Sequence, residues 1–252
     1  MIIVSLLLAA GVAVPADMAS IPAGRYRPLY ALAGAARAAV RPFAIDRDAV
    51  TRGQFLSFVR AHDAWRRSTI RPLFADHDYL AEWPGELLAG DHAALRTPVT
   101  SVSWFAARAY CSSLHKRLPT TDEWEYVARA NETIADATGD PAFRQRLLAL
   151  YALRGTDRSP RGFRNVYGVR DLHGVNWEWT DDFNSVLVPD DSRQGGSGVG
   201  TRHTLFCASA AIGASDPSDY PAFLRYAFRA GLTGRSTVRS LGFRCATGVA
   251  AA

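Results

Sequence analysis

One domain of mixed strands and helices, with sparse regular structure, is what this 252-residue sequence predicts. Three observations carry that reading. Short strand-like and short amphipathic helical segments follow one another up to residue 130. Beyond residue 150 glycines and turn residues dominate. No internal repeat and no second patterned core divides the chain, and a hydrophobic content of 48% supplies one substantial core.

The elements can be justified in order. MIIVSLLLAAGVAVPA is an uninterrupted apolar run of secretory length that closes on VPA, a small-residue cleavage site. Residues 1–16 are therefore expected to be a signal peptide, and residues 17–252 a periplasmic or secreted domain with no membrane span. MASIPAGRYRPL reads as a short strand with a turn, and RPFAIDRDAV as another strand. TRGQFLSFVRAH reads as a helix with Thr51 as N-cap and Phe55, Phe58 and Val59 on one face. SVSWFAARAYCSSLH sets Trp104, Ala107, Tyr110 and Cys111 along one stripe. RLPTTDEWEYVARA places Thr120 three residues before Glu123, a capping box ahead of a short helix. After residue 150 the pattern places no helix, and DDSRQGGSGVG is a glycine-rich loop inside the domain.

Charge and motifs exclude several function classes. Against 24 acids stand 29 basic residues, and Lys116 is the only lysine among them. The arginines are spread from Arg25 to Arg244 and form no stripe or cluster, so a nucleic-acid partner is not expected. There is no P-loop, no dinucleotide fingerprint and no G-x-S-x-G nucleophile turn. The cysteines Cys111, Cys207 and Cys245 suit an oxidising compartment and must split as two plus one if a pair forms, which composition leaves open.

The stretch YGVRDLHGVNWEWTDDF, residues 167–183, crowds Asp171, Glu178, Asp181 and Asp182 among two tryptophans and two glycines without helical or strand period. Two readings stand on the residues. A hard cation such as calcium collects carboxylates and backbone carbonyls from a loop of this kind. Alternatively, Asp171 and Glu178 cap turns or pair with the nearby Arg170 or Arg164.

Taken together, RTPVTSVSWFAARAYCSSLHKRLPTTDEWEYVARA, NVYGVRDLHGVNWEWTDDF and the closing LGFRCA resemble the sulfatase-modifying factor domain, that of the formylglycine-generating enzymes. MASIPAGRY and FAIDRDAVTRGQFLSFV are similar to that family's opening segments, so the resemblance spans residues 18–247. It implies a single α+β domain of low regular secondary structure, related to the C-type lectin fold. It implies a structural calcium ion held by side-chain oxygens of Asp171 and Glu178 and by main-chain carbonyls of Leu172, Gly174 and Asn176, with Trp177 and Trp179 packed beneath and beside the loop. This chain reads GVNWEW where the family has asparagine directly after glycine.

The same resemblance pairs Cys111 with Cys245 and makes Cys207 the catalytic cysteine, with Thr204 and Trp177 beside it. Family enzymes carry a second cysteine a few residues on, and the two thiolates bind copper(I), a soft ion. No cysteine follows Cys207 before Cys245, and His203 stands where the family has a glycine, so copper here would fall to Cys207 and His203. Two functions follow. One is an exported O2-dependent oxidoreductase acting through Cys207 on a cysteine or related group of an envelope protein. The other is a non-catalytic accessory scaffold that binds a periplasmic partner enzyme during its maturation.

Overall fold

The computed structural model describes residues 14–30, 36–153, 162–184 and 214–249. Its main sheet has the order β1-β4-β7, with β1 at Met18–Ile21, β4 at Phe43–Asp46 and β7 at Ala246–Gly248. Both pairings are antiparallel, with Ile21 opposite Phe43 and Ile45 opposite Ala246. All residues of β4 are buried, which is why FAID shows no polar alternation. The sheet brings the two ends of the domain together on β4, and so carries Arg244 and Cys245 to the end of that strand. A second ribbon pairs β2, Gly24–Tyr26, with β3, Ala38–Val40.

Three helices form where the caps and apolar stripes place them. In α1, Arg52–Ala61, Thr51 accepts from the Gln54 backbone and the Gln54 side chain accepts from the Thr51 N–H, a full capping box. Its buried face is Phe55, Leu56, Phe58 and Val59. α2, Trp104–Ser113, is capped by Ser103 and buries Ala106, Ala107, Tyr110 and Cys111. α3, Thr121–Ala128, has the predicted Thr120 and Glu123 box, and Glu123 is also gripped by both terminal nitrogens of Arg117 at 2.6 Å.

Two further helices are structure the pattern does not locate. α4, Pro141–Ala152, is capped by Asp140 and starts on proline, whose missing N–H is harmless there. α5, Tyr220–Ala230, is capped by Asp219 and lies in the region read as irregular.

Two large buried clusters dominate the interior, beside smaller ones under α4 and α5. One joins the inner faces of α1 and α2 to Trp83, Trp179, Phe243 and the Cys111–Cys245 pair. The other packs Trp124 and Val127 of α3 against Ile21, Phe43, Ile45 and Leu172. Between them runs the short β5, Trp177–Glu178, parallel to β6, Leu241–Gly242. Among the described residues no helix is long and apolar enough to cross a membrane.

Candidate functional site

The loop from Asp171 to Asp182 is built on two left-handed backbone positions. Asp171 sits at φ 54° and Gly174 at φ 98°, the region that aspartate tolerates better than most residues and glycine adopts freely. The loop then joins β6. Trp177 N–H donates to Ser240 O at 2.6 Å and Trp179 N–H to Gly242 O at 3.0 Å. Gly242 is required by close approach, because a Cβ there would stand 2.4 Å from the Val99 carbonyl oxygen.

Acids and aromatics alternate here because the strand separates the two cores. Trp179 is fully buried, and its indole N–H donates to the Val102 carbonyl at 2.9 Å. Trp177 is half-buried and stacks on Phe228 of α5, with centroids 4.5 Å apart and planes at 15°. The Tyr151 ring completes this wall at 5.3 Å from Trp177.

Glu178, between the tryptophans, is buried with a cation of its own. Arg244 donates to both carboxylate oxygens at 2.8 Å, and Trp124 Nε1 donates to Oε2 at 2.8 Å. The same guanidinium donates to the carbonyls of Asp46, Arg47 and Arg170, so one arginine ties β4, the loop and β5 together. Burial opposes the Arg244 charge, but the Glu178 carboxylate outweighs it and raises the arginine's pKa further. The local pairing of Glu178 with Arg170 or Arg164 is thereby corrected. Its partner lies 66 residues away, whereas Arg170 pairs with Asp48.

The five residues assigned to calcium run from the Asp171 turn into β5, and among the described residues no group of three or more His, Cys, Asp or Glu side chains comes together to hold a metal ion. Asn176 is 2% exposed and its side-chain Oδ1 has no hydrogen-bond donor, although the resemblance assigns the Asn176 main-chain carbonyl and not this atom. Glu178 has about four lone-pair positions and spends three on Arg244 and Trp124, leaving one on Oε1. Asp171 and Asn176 also line a cavity of about 460 Å³ whose walls include Asp46, Asp48 and Lys116.

A second buried charge cluster lies behind the Trp177 wall. Glu125 of α3 accepts from Nε and Nη2 of Arg225 and from Nη1 of Arg229, at 2.6–3.0 Å. Burial alone would raise the Glu125 carboxyl; the two guanidiniums more than reverse this and hold it at about 2. Arg225 Nη1 donates to Tyr151 Oη at 3.0 Å, and Tyr151 Oη lies 2.7 Å from His173 Nδ1. Because His173 Nε2 faces the Ala128 carbonyl at 3.0 Å, Nε2 carries the proton and Nδ1 accepts from the tyrosine. Sequence reasoning missed this cluster, since its members are up to 104 residues apart.

Cys111 of α2 and Cys245 form the expected disulfide, with Cα atoms 5.6 Å apart. The assigned residues Cys207, Thr204 and His203 lie outside the described residues, as do residues 1–13 of the expected leader 1–16. Of the catalytic assignments the described structure therefore positions Trp177, in the aromatic wall.

Comparison with known proteins rests on most of this chain. The family described as sulfatase-modifying factor enzyme 1-like domain matches residues 8–249. The chain belongs to that family. Its mixed helix and sheet content, with modest regular structure, is the α+β, C-type-lectin-like domain expected. The bovine (Bos taurus) inactive C-alpha-formylglycine-generating enzyme 2 is 32% identical over 173 residues, covering 64% of this chain and 53% of the relative. The chain thus matches about half the length of that relative. The mouse (Mus musculus) protein of the same description is 29% identical and is covered to 76%, with 82% of this chain aligned. The formylglycine-generating enzyme of Streptomyces coelicolor is 31% identical over 250 residues, covering 82% of this chain and 78% of the enzyme. Among solved structures, PvdO from Pseudomonas aeruginosa is 21% identical, with a TM-score of 0.49 over 92% of this chain and 94% of PvdO.

Proposed function

We propose that this protein is an exported, formylglycine-generating-enzyme-like accessory factor that binds a cysteine-bearing client of the cell envelope and does not itself carry out two-thiol oxidation. The observation that carries this reading is the Cys111–Cys245 disulfide. The sequence has three cysteines, so one thiol, Cys207, stays outside that bond. A copper(I) site of paired thiolates needs two. The Trp177, Phe228 and Tyr151 wall offers apolar, stackable surface for a peptide, and two relatives described as inactive are 32% and 29% identical to this chain.

A second reading is favoured by the same cysteine. Cys207 left out of the disulfide is available as a thiolate and, with His203, as a copper ligand for O2-dependent oxidation of a client cysteine. One experiment separates the two. Purified protein, loaded with copper(I) and given O2 and a thiol reductant, is incubated with a cysteine-containing peptide, and the peptide is analysed by mass spectrometry. An unchanged peptide that nevertheless binds, with binding reduced by Trp177→Ala, supports the accessory reading. A new peptide aldehyde that disappears with Cys207→Ser establishes the enzyme.

The structural ion belongs to this proposal as well. Calcium bound by side-chain oxygens of Asp171 and Glu178 and by the main-chain carbonyls of Leu172, Gly174 and Asn176 would lock the loop's two left-handed turns. At a hundredfold excess over its dissociation constant it stabilises by about 2.7 kcal/mol. The expected result is a melting temperature lowered by chelator in the native chain and indifferent to chelator in Asp171→Ala. Indifference of the native chain would leave the loop to its arginines, Arg244 on Glu178 and Arg108 on Asp181.

A further inference from the structure

α5 is turned against its own hydrophobic pattern. Tyr220, Phe223, Leu224, Ala227 and Phe228 recur at i, i+3, i+4, i+7 and i+8, the stripe that a surface helix ordinarily buries. The opposite face is the buried one: Ala222, Arg225, Tyr226 and Arg229 are inside. Tyr220 is 51% exposed, and the other four stripe residues are half-buried. A helix that buries two guanidiniums fully while its apolar stripe is only half-buried needs a specific attraction strong enough to override area burial.

The attraction converges on one carboxylate. Glu125 is 3% exposed and accepts from both arginines, Arg225 through two nitrogens and Arg229 through one. The neighbouring Trp124 ring adds its face, with Arg229 4.7 Å and Arg225 5.7 Å from its centroid. With its arginines held inward, α5 delivers Phe228 onto Trp177 at 4.5 Å. Rolling the helix to bury its apolar stripe would carry Phe228 off Trp177.

We infer that Glu125 sets the rotation of α5 about its axis and is thereby a positioning residue of the Trp177 wall. The importance of that wall rests on the function proposed above, whereas the effect of Glu125 on it is measured without any activity. Glu125→Gln keeps the side chain's shape and removes the anion, leaving two buried guanidiniums without their hydrogen-bonded counter-charge and with only the field of Asp219. The expected result is a folded variant, by far-ultraviolet circular dichroism and an intact disulfide, in which α5 has rolled. The Trp177 fluorescence component, obtained by difference from Trp177→Phe, shifts and becomes more quenchable by acrylamide. Trypsin gains cuts after Arg225 and Arg229 that the native chain resists. Arg229→Gln, which leaves a balanced Glu125–Arg225 pair, is expected to keep the native signal.

An unchanged Trp177 signal and intact protease resistance in folded Glu125→Gln would overturn the inference. So would an Arg229→Gln variant that moves both readouts equally, because the effect would then be general loosening. If Glu125→Gln does not fold, Arg225→Lys takes its place, keeping the charge while losing the two-nitrogen grip. Greater quenching of Trp177 in that variant supports the inference, and native quenching overturns it.

Discussion

Glu125 and Glu178 are buried to the same degree on either side of Trp124, yet they are neutralised in different ways. Trp124 donates its indole N–H to Glu178 and offers its ring to the arginines of Glu125. Glu178 has one guanidinium and one neutral donor, a balanced buried pair whose arginine also donates to three backbone carbonyls. Glu125 has two guanidiniums, both from α5, so its cluster carries a surplus cation offset by the Trp124 ring and the field of Asp219. The balanced pair joins distant strands and acts as a structural tie. The unbalanced one fixes a single helix, and it is the one whose charge state matters to the aromatic wall.

Breaking the balanced pair should have the largest effect. Arg244→Ala leaves the Glu178 carboxylate buried with only an indole partner and frees three carbonyls. Removing one partner of a buried pair typically destabilises by about 3–5 kcal/mol. Urea unfolding is expected to show a loss of that size. The comparison sharpens with Arg244→Met combined with Glu178→Gln, which removes both charges and keeps an acceptor for Trp124. That double variant should be more stable than Arg244→Ala, and an equal loss would mean that the carbonyl contacts, rather than the ion pair, hold the strands.

The disulfide is the covalent counterpart of that tie, since Cys245 follows Arg244 directly. It bridges residues 134 apart in sequence. Loss of a native disulfide typically destabilises by about 2–5 kcal/mol, and Cys111→Ala with Cys245→Ala is expected to fall in that range. Because both ties hold one dipeptide, combining this change with Arg244→Ala should give a loss that differs from the sum by at least about 0.5 kcal/mol. Strict additivity would show that the two act on independent parts of the fold.

The contrast between the two carboxylates also explains what the sequence made legible. α1, α2 and α3 are readable because Thr51, Ser103 and Thr120 cap them locally and their apolar residues face the core at helical spacing. α5 was not readable, because its most buried face carries two arginines held by a carboxylate about 100 residues earlier, which no local period reveals. The acid and tryptophan loop announced itself as special by composition. The family resemblance paired Cys111 with Cys245, whereas the partner of Glu178 and the wall around Trp177 could come only from the fold. A signal was present in retrospect: two arginines four residues apart, Arg225 and Arg229, on one face of an otherwise apolar segment require an acid opposite.

Acid should break the unbalanced cluster in a defined window. Glu125 is lowered from an ordinary 4.5 to about 2 in the folded state. A depressed carboxyl contributes stability that is present above the unfolded value and is lost as pH falls through the folded value. The window therefore runs from pH 4.5 down to about 2, and at 1.36 kcal/mol for each unit the loss is on the order of 3 kcal/mol. The carbon-13 resonance of the Glu125 carboxyl should stay flat through the range where exposed glutamates titrate. Titration near 4.5 would mean that the guanidiniums do not hold the charge.

The smallest effect should come from Thr120, which caps the helix carrying both Trp124 and Glu125. Its hydroxyl accepts from the Glu123 N–H at 3.2 Å, while Glu123 returns a bond to the Thr120 N–H at 2.9 Å. Thr120→Ala removes half of that box and leaves the Glu123 half, which Arg117 holds in place. A lost cap of this kind typically destabilises by about 1 kcal/mol. Asp182 limits the damage further, since its carboxylate accepts from the Thr121 N–H at 2.6 Å and satisfies another orphan donor of the first turn. Thr120→Ala is thus expected to lower the urea midpoint slightly without altering Trp177 fluorescence, because the cap starts α3 but the buried charges aim it. A shift in the Trp177 signal from this variant alone would show that the position of Glu125 depends on the start of its helix as much as on its two arginines.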